Sequence, residues 1–287
     1  MHILDKPHPD TSKNPQVHVY DSLGDMAEGI EQIPEKHQQC MNDESWNKVG
    51  NRDDCIKMMW EGDQKLLSKV KDNLGDCLGL LAPLTKKRKR SSSPFGVLQV
   101  PAYLSGHPTP CKRRVKQLSS QGPVKIWMDM TTSCSVSAAE LMDYRMIIAS
   151  FAVALTKLRQ VELLAFSINE AWYSSIAPGI VVPVPLRPLD AVSVSTIAHV
   201  GMYRGLMLDK LKEICDSPDD PLRIIGTSKN HAVYLGAKRG DIITPQVTPT
   251  ILKKIMADRT PAQAVHKLMA DYLRGEGFVF ETIEASN

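Results

Sequence analysis

"VKIWMDMTTSCSVSAAELMDYRMIIASFAVALTKLRQVELLAFS", Val124 to Ser167, is the stretch on which the fold turns. Its first seven residues, Val124–Met130, are an apolar run of the length and kind that fills a buried parallel strand. Ser137 and Glu140 then make a Ser-x-x-Glu capping box, the signature of a helix start. Behind that cap, Leu141, Tyr144, Ile148, Phe151, Leu155 and Leu158 recur at helical spacing and define one apolar face. "VELLAFS", Val161–Ser167, is the next apolar run and reads as a second strand. Strand, helix and strand in that order predict a βαβ unit with parallel strands and a right-handed crossover.

Downstream the alternation continues. "IVVPVPL" (180–186) reads as a strand at a sheet edge, because its two prolines donate no ladder hydrogen bonds. A helix is expected from about Ser195 to Cys215, a buried strand at "LRIIGT" (222–227) and another at "DIITPQV" (241–247). Helices over 249–258 and 261–274 close the chain, the second with Pro261 in its first turn. The pattern predicts a doubly wound, mostly parallel α/β sheet.

Upstream the signals are weaker. Residues 1–16 are polar with three prolines and read as a disordered tail. "VHVYDSLGDMAEGIEQI" predicts a strand at Val17–Tyr20 and a helix capped by Ser22, with Asp25 three residues on. Residues 34–53 are irregular, and apolar spacing from Cys55 to Leu81 predicts one or two helices. This makes residues 17–84 a helix-rich N-terminal region. Residues 85–122, rich in basic residues and proline, read as a linker, and 123–287 as the α/β domain.

Composition narrows the functional classes. A length of 287 residues, 43% hydrophobic and 23% charged, is that of an ordinary globular chain with room for a sizeable core. No run approaches the roughly 20 apolar residues needed to cross a bilayer, and the polar N-terminus has no signal-peptide core, so a cytoplasmic location is expected. Six scattered cysteines, without CxxC spacing, point to reduced thiols rather than zinc or a disulfide framework. His199 and His231 have no partner at a spacing that would make a hydrolytic triad. The net charge of +3 is uneven: ten Lys/Arg and no acid lie between Thr85 and Trp127, leaving 25 basic against 32 acidic residues elsewhere.

Two places carry candidate chemistry. Asp129 falls at the carboxyl end of a predicted strand, where α/β sheets bind ligands. Asp129, Thr131 and Ser133 alternate with Met130 and Thr132, so the three hard oxygen donors can share one side, a set suited to Mg²⁺. The same residues also suit an ordinary strand end and helix cap. The loop has no glycines to cradle a pyrophosphate, and neither GxGxxG nor GxxxxGK[ST] occurs. The second place is Lys86-Lys87-Arg88-Lys89-Arg90, with Lys112, Arg113 and Arg114 behind it and Phe95 and Tyr103 between as stacking residues. That is an electrostatic footprint for phosphates of nucleic acid, although a basic run is most often merely solvated.

The apolar strand, Asp-x-Thr-x-Ser, long helix and "VELLAFS" resemble the opening of a von Willebrand factor A domain, whose metal-ion-dependent adhesion motif is Asp-x-Ser-x-Ser. The resemblance implies Asp129, Thr131 and Ser133 as metal ligands, with Thr196 (or Ser193 or Ser195) standing for the family's later threonine and Asp190 for its later acid. The chain departs from the family at "LRIIGTSKN", which ends in Gly226-Thr227-Ser228 where the acid belongs. In addition, "HVYDSLGDMAEGI", Trp60-Glu61-Gly62, the basic run and "VPAYLSGHPTPC" occur in an order that resembles a family of phage and phage-like proteins. That implies a virus or mobile element as source, hence the host cytoplasm, and no assigned activity. One carboxylate is too few for a two-metal centre, so catalysis is not expected. The expected function is a non-enzymatic interaction protein that binds a protein partner, with an incomplete metal site. The alternative is a nucleic-acid-associated protein that works through residues 85–116.

Overall fold

The computed structural model describes residues 2–4, 11–38, 52–72, 75, 90–93, 97–98, 100–105, 111–114, 123–186, 204–274 and 280–282. The strands are β1 (His2–Leu4), β2 (Asn14–Val19), β3 (Arg90–Ser93), β4 (Val97–Leu98), β5 (Cys111–Arg114), β6 (Val124–Asp129), β7 (Val161–Ala171), β8 (Ile176–Val184), β9 (Leu222–Ile224), β10 (Ile242–Thr244) and β11 (Glu281–Thr282). The helices are α1 (Leu23–Glu31), α2 (Arg52–Glu61), α3 (64–72), α4 (Val100–Leu104), α5 (Ala138–Thr156), α6 (Arg204–Ile214), α7 (Ser228–Tyr234), α8 (Pro249–Met256) and α9 (Pro261–Arg274).

The βαβ unit read from the sequence is the centre of the molecule. β6 and β7 pair in parallel from Val124↔Val161 to Asp129↔Phe166, and α5 connects them. Ser137 caps α5 and Glu140 reaches back to it, which completes the capping box. The main sheet runs β1-β2-β8-β7-β6-β10-β11, with β9 attached to the far end of β7. The β2–β8, β7–β6 and β6–β10 pairs are parallel; β1–β2, β8–β7 and β10–β11 are antiparallel. This is a mixed α/β architecture with parallel strands at its heart.

Alternation along the strands supplies two apolar faces. Ile126 and Met128 of β6, Leu163 and Ala165 of β7, Ile180 and Val182 of β8 and Ile242 of β10 join the larger core with α1, α5, α6, α8 and α9. Trp127, Leu164, Phe166, Ile168, Val181 and Ile243 point the other way and pack with Ala232 of α7. Among the described residues the helices are therefore spread unevenly over the two faces of the sheet. α5 explains part of this. It is buried nearly all round between Tyr144 and Leu155, because α8 and α9 lie on the side away from the sheet; one apolar stripe would not have sufficed.

Several further expectations change. The first sixteen residues are not simply a tail: His2–Leu4 and Asn14–Val19 are strands, and β2 adds to the sheet beside β8. As a result β8 is interior rather than an edge. Its prolines fit because each sits where one neighbour has run out. Pro178 pairs with Gln16 of β2 but lies beyond the last β7 partner, Ile168↔Gly179; Pro183 pairs with Leu164 of β7 but lies beyond the last β2 partner, Val19↔Val181. "LRIIGT" is not a buried strand either: Leu222–Ile224 pairs antiparallel with Asn169–Ala171, and Arg223 and Ile224 are exposed. His231 lies in α7.

The core does not break at residue 122. Tyr20, Met26, Ile30, Met59, Leu66 and Val70 share one cluster with β6 and α5, and Ser22 caps α1 by accepting from the N–H of Asp25 at 3.1 Å. Arg52 of α2 bridges Asp209 of α6 at 3.3 Å and the carbonyl of Ile30 at 2.9 Å. Within the stretch read as a linker, β3, β5 and β4 form a small antiparallel sheet. Among the described residues no helix is long and apolar enough to cross a membrane.

Candidate functional site

The end of β6 is held by a carboxylate at the centre of a hydrogen-bond cluster. Asp129 is 2% exposed. Its Oδ1 accepts from the N–H of Thr131 at 2.8 Å and from Thr131 Oγ1 at 2.6 Å; its Oδ2 accepts from Ser228 Oγ at 2.6 Å. Ser228 opens α7, far along the chain, and its Oγ also accepts from the N–H of Gln246, just past β10, at 2.8 Å. The N–H of Asp129 donates to Thr244 Oγ1 at 3.1 Å. The loop is laced to the same strand connection: Val247 N–H donates to Thr131 O at 3.2 Å, and Ser133 N–H donates to Val247 O at 2.9 Å. One carboxylate therefore ties together the loop after β6, the start of α7 and the end of β10.

Arg145 of α5 completes the cluster from the helix side. Fully buried, it donates from Nη2 to the backbone oxygen of Asp129 at 2.8 Å, and its Nε and Nη1 have no hydrogen-bond partner among the described residues. Burial lowers the pKa of Arg145, with Tyr144 and Asp129 acting the other way. For Asp129, burial dominates and pushes the carboxyl above the ordinary aspartate range. The hydrogen bonds from Ser228 and Thr131 and the charge of Arg145 oppose that without cancelling it. Burial also pushes the Tyr144 phenol up to about 12.

The residues expected to act together separate into three sets. Asp129 and Thr131 are joined. Ser133 is not part of their cluster, since its Oγ bonds Ser135 Oγ at 2.8 Å near the surface. Asp190 and Thr196 lie outside the described residues, as do Lys86, Lys87, Arg88 and Lys89. Of the remaining basic residues, Arg90 is in β3 and Lys112, Arg113 and Arg114 are in β5; the register sets Arg90 opposite Arg114, and Ser91 and Ser92 opposite Arg113 and Lys112.

Sequence reasoning missed Ser228, Thr244 and Arg145. Arg145 had a visible signal, a lone cation inside the apolar run Tyr144–Leu155, which only a buried partner would tolerate. Ser228 was visible only as a departure from the adhesion pattern, and no local motif singles out Thr244.

A cation fits this cluster poorly. Both Asp129 oxygens already accept from hydrogen-bond donors, and the buried guanidinium of Arg145 already sets a positive charge against the carboxyl. Mg²⁺ prefers an octahedron of oxygens that includes carboxylate charge. Among the described residues no group of three or more His, Cys, Asp or Glu could hold a metal. A cavity of about 720 Å³ lies elsewhere, at the opposite end of β7 between Asp21–Leu23, Arg159–Leu163 and Pro183–Leu186.

Residues 8–271 match the family described as a domain of unknown function, DUF7192, and the chain belongs to that family. No curated protein and no solved structure matches it.

Proposed function

We propose that the chain is a non-enzymatic binding module, built on a von Willebrand A-like plan, that holds a protein partner at the carboxyl end of its parallel strands without a metal ion. The observation that carries this is the Asp129 cluster. Hydroxyls from the loop after β6, Thr131, and from the first residue of α7 behind the β9–α7 loop, Ser228, converge on one buried carboxylate at the end of the central strand. Ser228 occupies the stretch where the adhesion family places an acid. A serine hydroxyl that donates to Asp129 ties the loops together by a hydrogen bond where an acid would need a cation. Among the described residues the cluster brings no second carboxylate, and the hydroxyls of Thr131 and Ser228 are spent on holding Asp129, which favours organising a surface over performing a reaction. For a source of the phage-like kind that the order of motifs resembles, the partner would be a viral or host protein of the cytoplasm.

The test is to pan a random displayed peptide library against the full chain, once with Mg²⁺ and once with chelator. The same peptides should be enriched in both. Enrichment that requires Mg²⁺, or none at all, contradicts the reading.

A second reading rests on a different observation. The register of β3 and β5 sets Arg90 opposite Arg114 and gathers Lys112, Arg113 and Arg114 with it in one small sheet. The small basic sheet would then grip phosphates of a nucleic acid. Binding to a labelled oligonucleotide should fall steeply with salt and vanish when Arg90, Lys112, Arg113 and Arg114 are replaced by Gln. Salt-independent binding, or none, removes it.

A further inference from the structure

Trp172 and Tyr173 lie in the turn between β7 and β8, 58% and 81% exposed. The backbone beneath them is held far more firmly than an ordinary surface turn needs. Asp220, 1% exposed, accepts from the N–H of Tyr173 at 2.8 Å on one oxygen and from the N–H of Ser174 at 2.7 Å on the other. Trp172 N–H donates to Pro221 O at 3.0 Å, and Ile176 N–H donates to Ser174 Oγ at 3.1 Å. A buried carboxylate thus fixes a turn whose two aromatic rings stand in water.

Beside the rings lie one exposed apolar side chain and charged groups that are each engaged in the fold. β9 pairs with the end of β7, which brings in Ile224, 39% exposed, and sets the Arg223 guanidinium 5.7 Å from the Trp172 ring centre. That cation is already matched by Glu170, which also accepts from Thr11 Oγ1 at 2.9 Å. Lys13 spends its ammonium on the carbonyls of Ala171 and Trp172. A phosphate backbone would find no uncommitted cation among these residues, whereas an uncharged apolar surface would meet rings and methyl groups rimmed by satisfied polar groups.

We propose that the Trp172–Tyr173 tip is the anchor by which this chain docks a protein partner that offers an uncharged apolar pocket. The proposal rests on the binding-module reading and names the surface it uses. Trp, Tyr and Arg are the residue types that dominate interface energetics. A turn fixed in advance loses little entropy on binding. The tip is at the same end of the sheet as Asp129: from Phe166, the partner of Asp129, β7 runs on to Ala171, which carries the tip roughly 16 Å further out.

The experiment titrates the most enriched peptide from the library into the full wild-type chain, the Trp172→Ala/Tyr173→Ala variant and Asp220→Ala. The ring variant should melt with the wild type, since it alters only surface, and bind at least about 30-fold more weakly. Asp220→Ala keeps both rings but frees the turn, and should weaken binding roughly tenfold. Peptides that bind the ring variant as tightly as wild type overturn this proposal and leave the binding module standing. A library that yields no peptide overturns both. A labelled oligothymidylate whose binding is lost in the ring variant assigns the rings to base stacking and also overturns it.

Discussion

At the scale of single residues, Asp129 is the group on which most depends. Asp129→Ala strands the N–H and hydroxyl of Thr131 and the hydroxyl of Ser228, and leaves Arg145 a buried charge without its neighbour. The expected cost is about 2–4 kcal/mol, measured by urea unfolding. Asp129→Asn keeps an acceptor for Thr131 and can donate to Ser228, so it should cost about 1 kcal/mol. The pH dependence has a definite sign. Because the folded pKa of Asp129 is raised, the folded state holds the proton more tightly, and this group's contribution falls as pH rises from the ordinary aspartate value of 3.8 up to the raised folded value. Asp129→Asn should flatten the stability–pH curve in that window; an unchanged curve would contradict it. The sequence grouped Asp129, Thr131 and Ser133 as metal donors; the local two-residue spacing does bring Asp129 and Thr131 together, by hydrogen bonds, while Ser133 turns to Ser135. The sequence could not show that Ser228 and Thr244 close the cluster, since only the tertiary fold brings them there.

At the scale of elements, capping and periodicity were legible and neighbours were not. The Ser137–Glu140 box and the βαβ unit stand as read, since both depend on short-range chemistry. β8 was misplaced because proline excludes only a local ladder bond; nothing in "IVVPVPL" tells that β2 covers one half of the strand and β7 the other. Gly179 leaves no room for a side chain between its two neighbouring strands. A methyl group there would stand 2.9 Å from Val17 Cγ2, 3.1 Å from Ile168 Cγ1 and 3.2 Å from Ser167 O. Gly179→Ala should therefore destabilise the chain by about 1–3 kcal/mol through overpacking, read as a lower unfolding midpoint. A midpoint equal to wild type would mean that β2 does not press on β8 as described.

At the scale of the whole molecule, the N-terminal segment is a structural part of the sheet rather than an appendage. The polar composition of residues 1–16 concealed this, because β2 has few apolar residues of its own and is held largely by backbone pairing with β8. Removing residues 1–20 would uncover the β8 edge and take Val17 and Tyr20 from the two cores. The truncated chain should lose its cooperative melt or aggregate; a cooperative melt at the wild-type temperature would show that the sheet is complete without it. The central claim is that the carboxyl end of the sheet is closed by a hydrogen-bonded clasp and not by a cation. The most direct measurement is a thermal melt of wild type and Asp129→Ala, each with Mg²⁺ and with chelator, since a ligand of the folded state must raise the melting temperature. The clasp predicts no change with Mg²⁺ in either protein and a fall of roughly 5–10 °C on substitution. A rise with Mg²⁺ in wild type that Asp129→Ala abolishes would contradict it and make this loop a metal site.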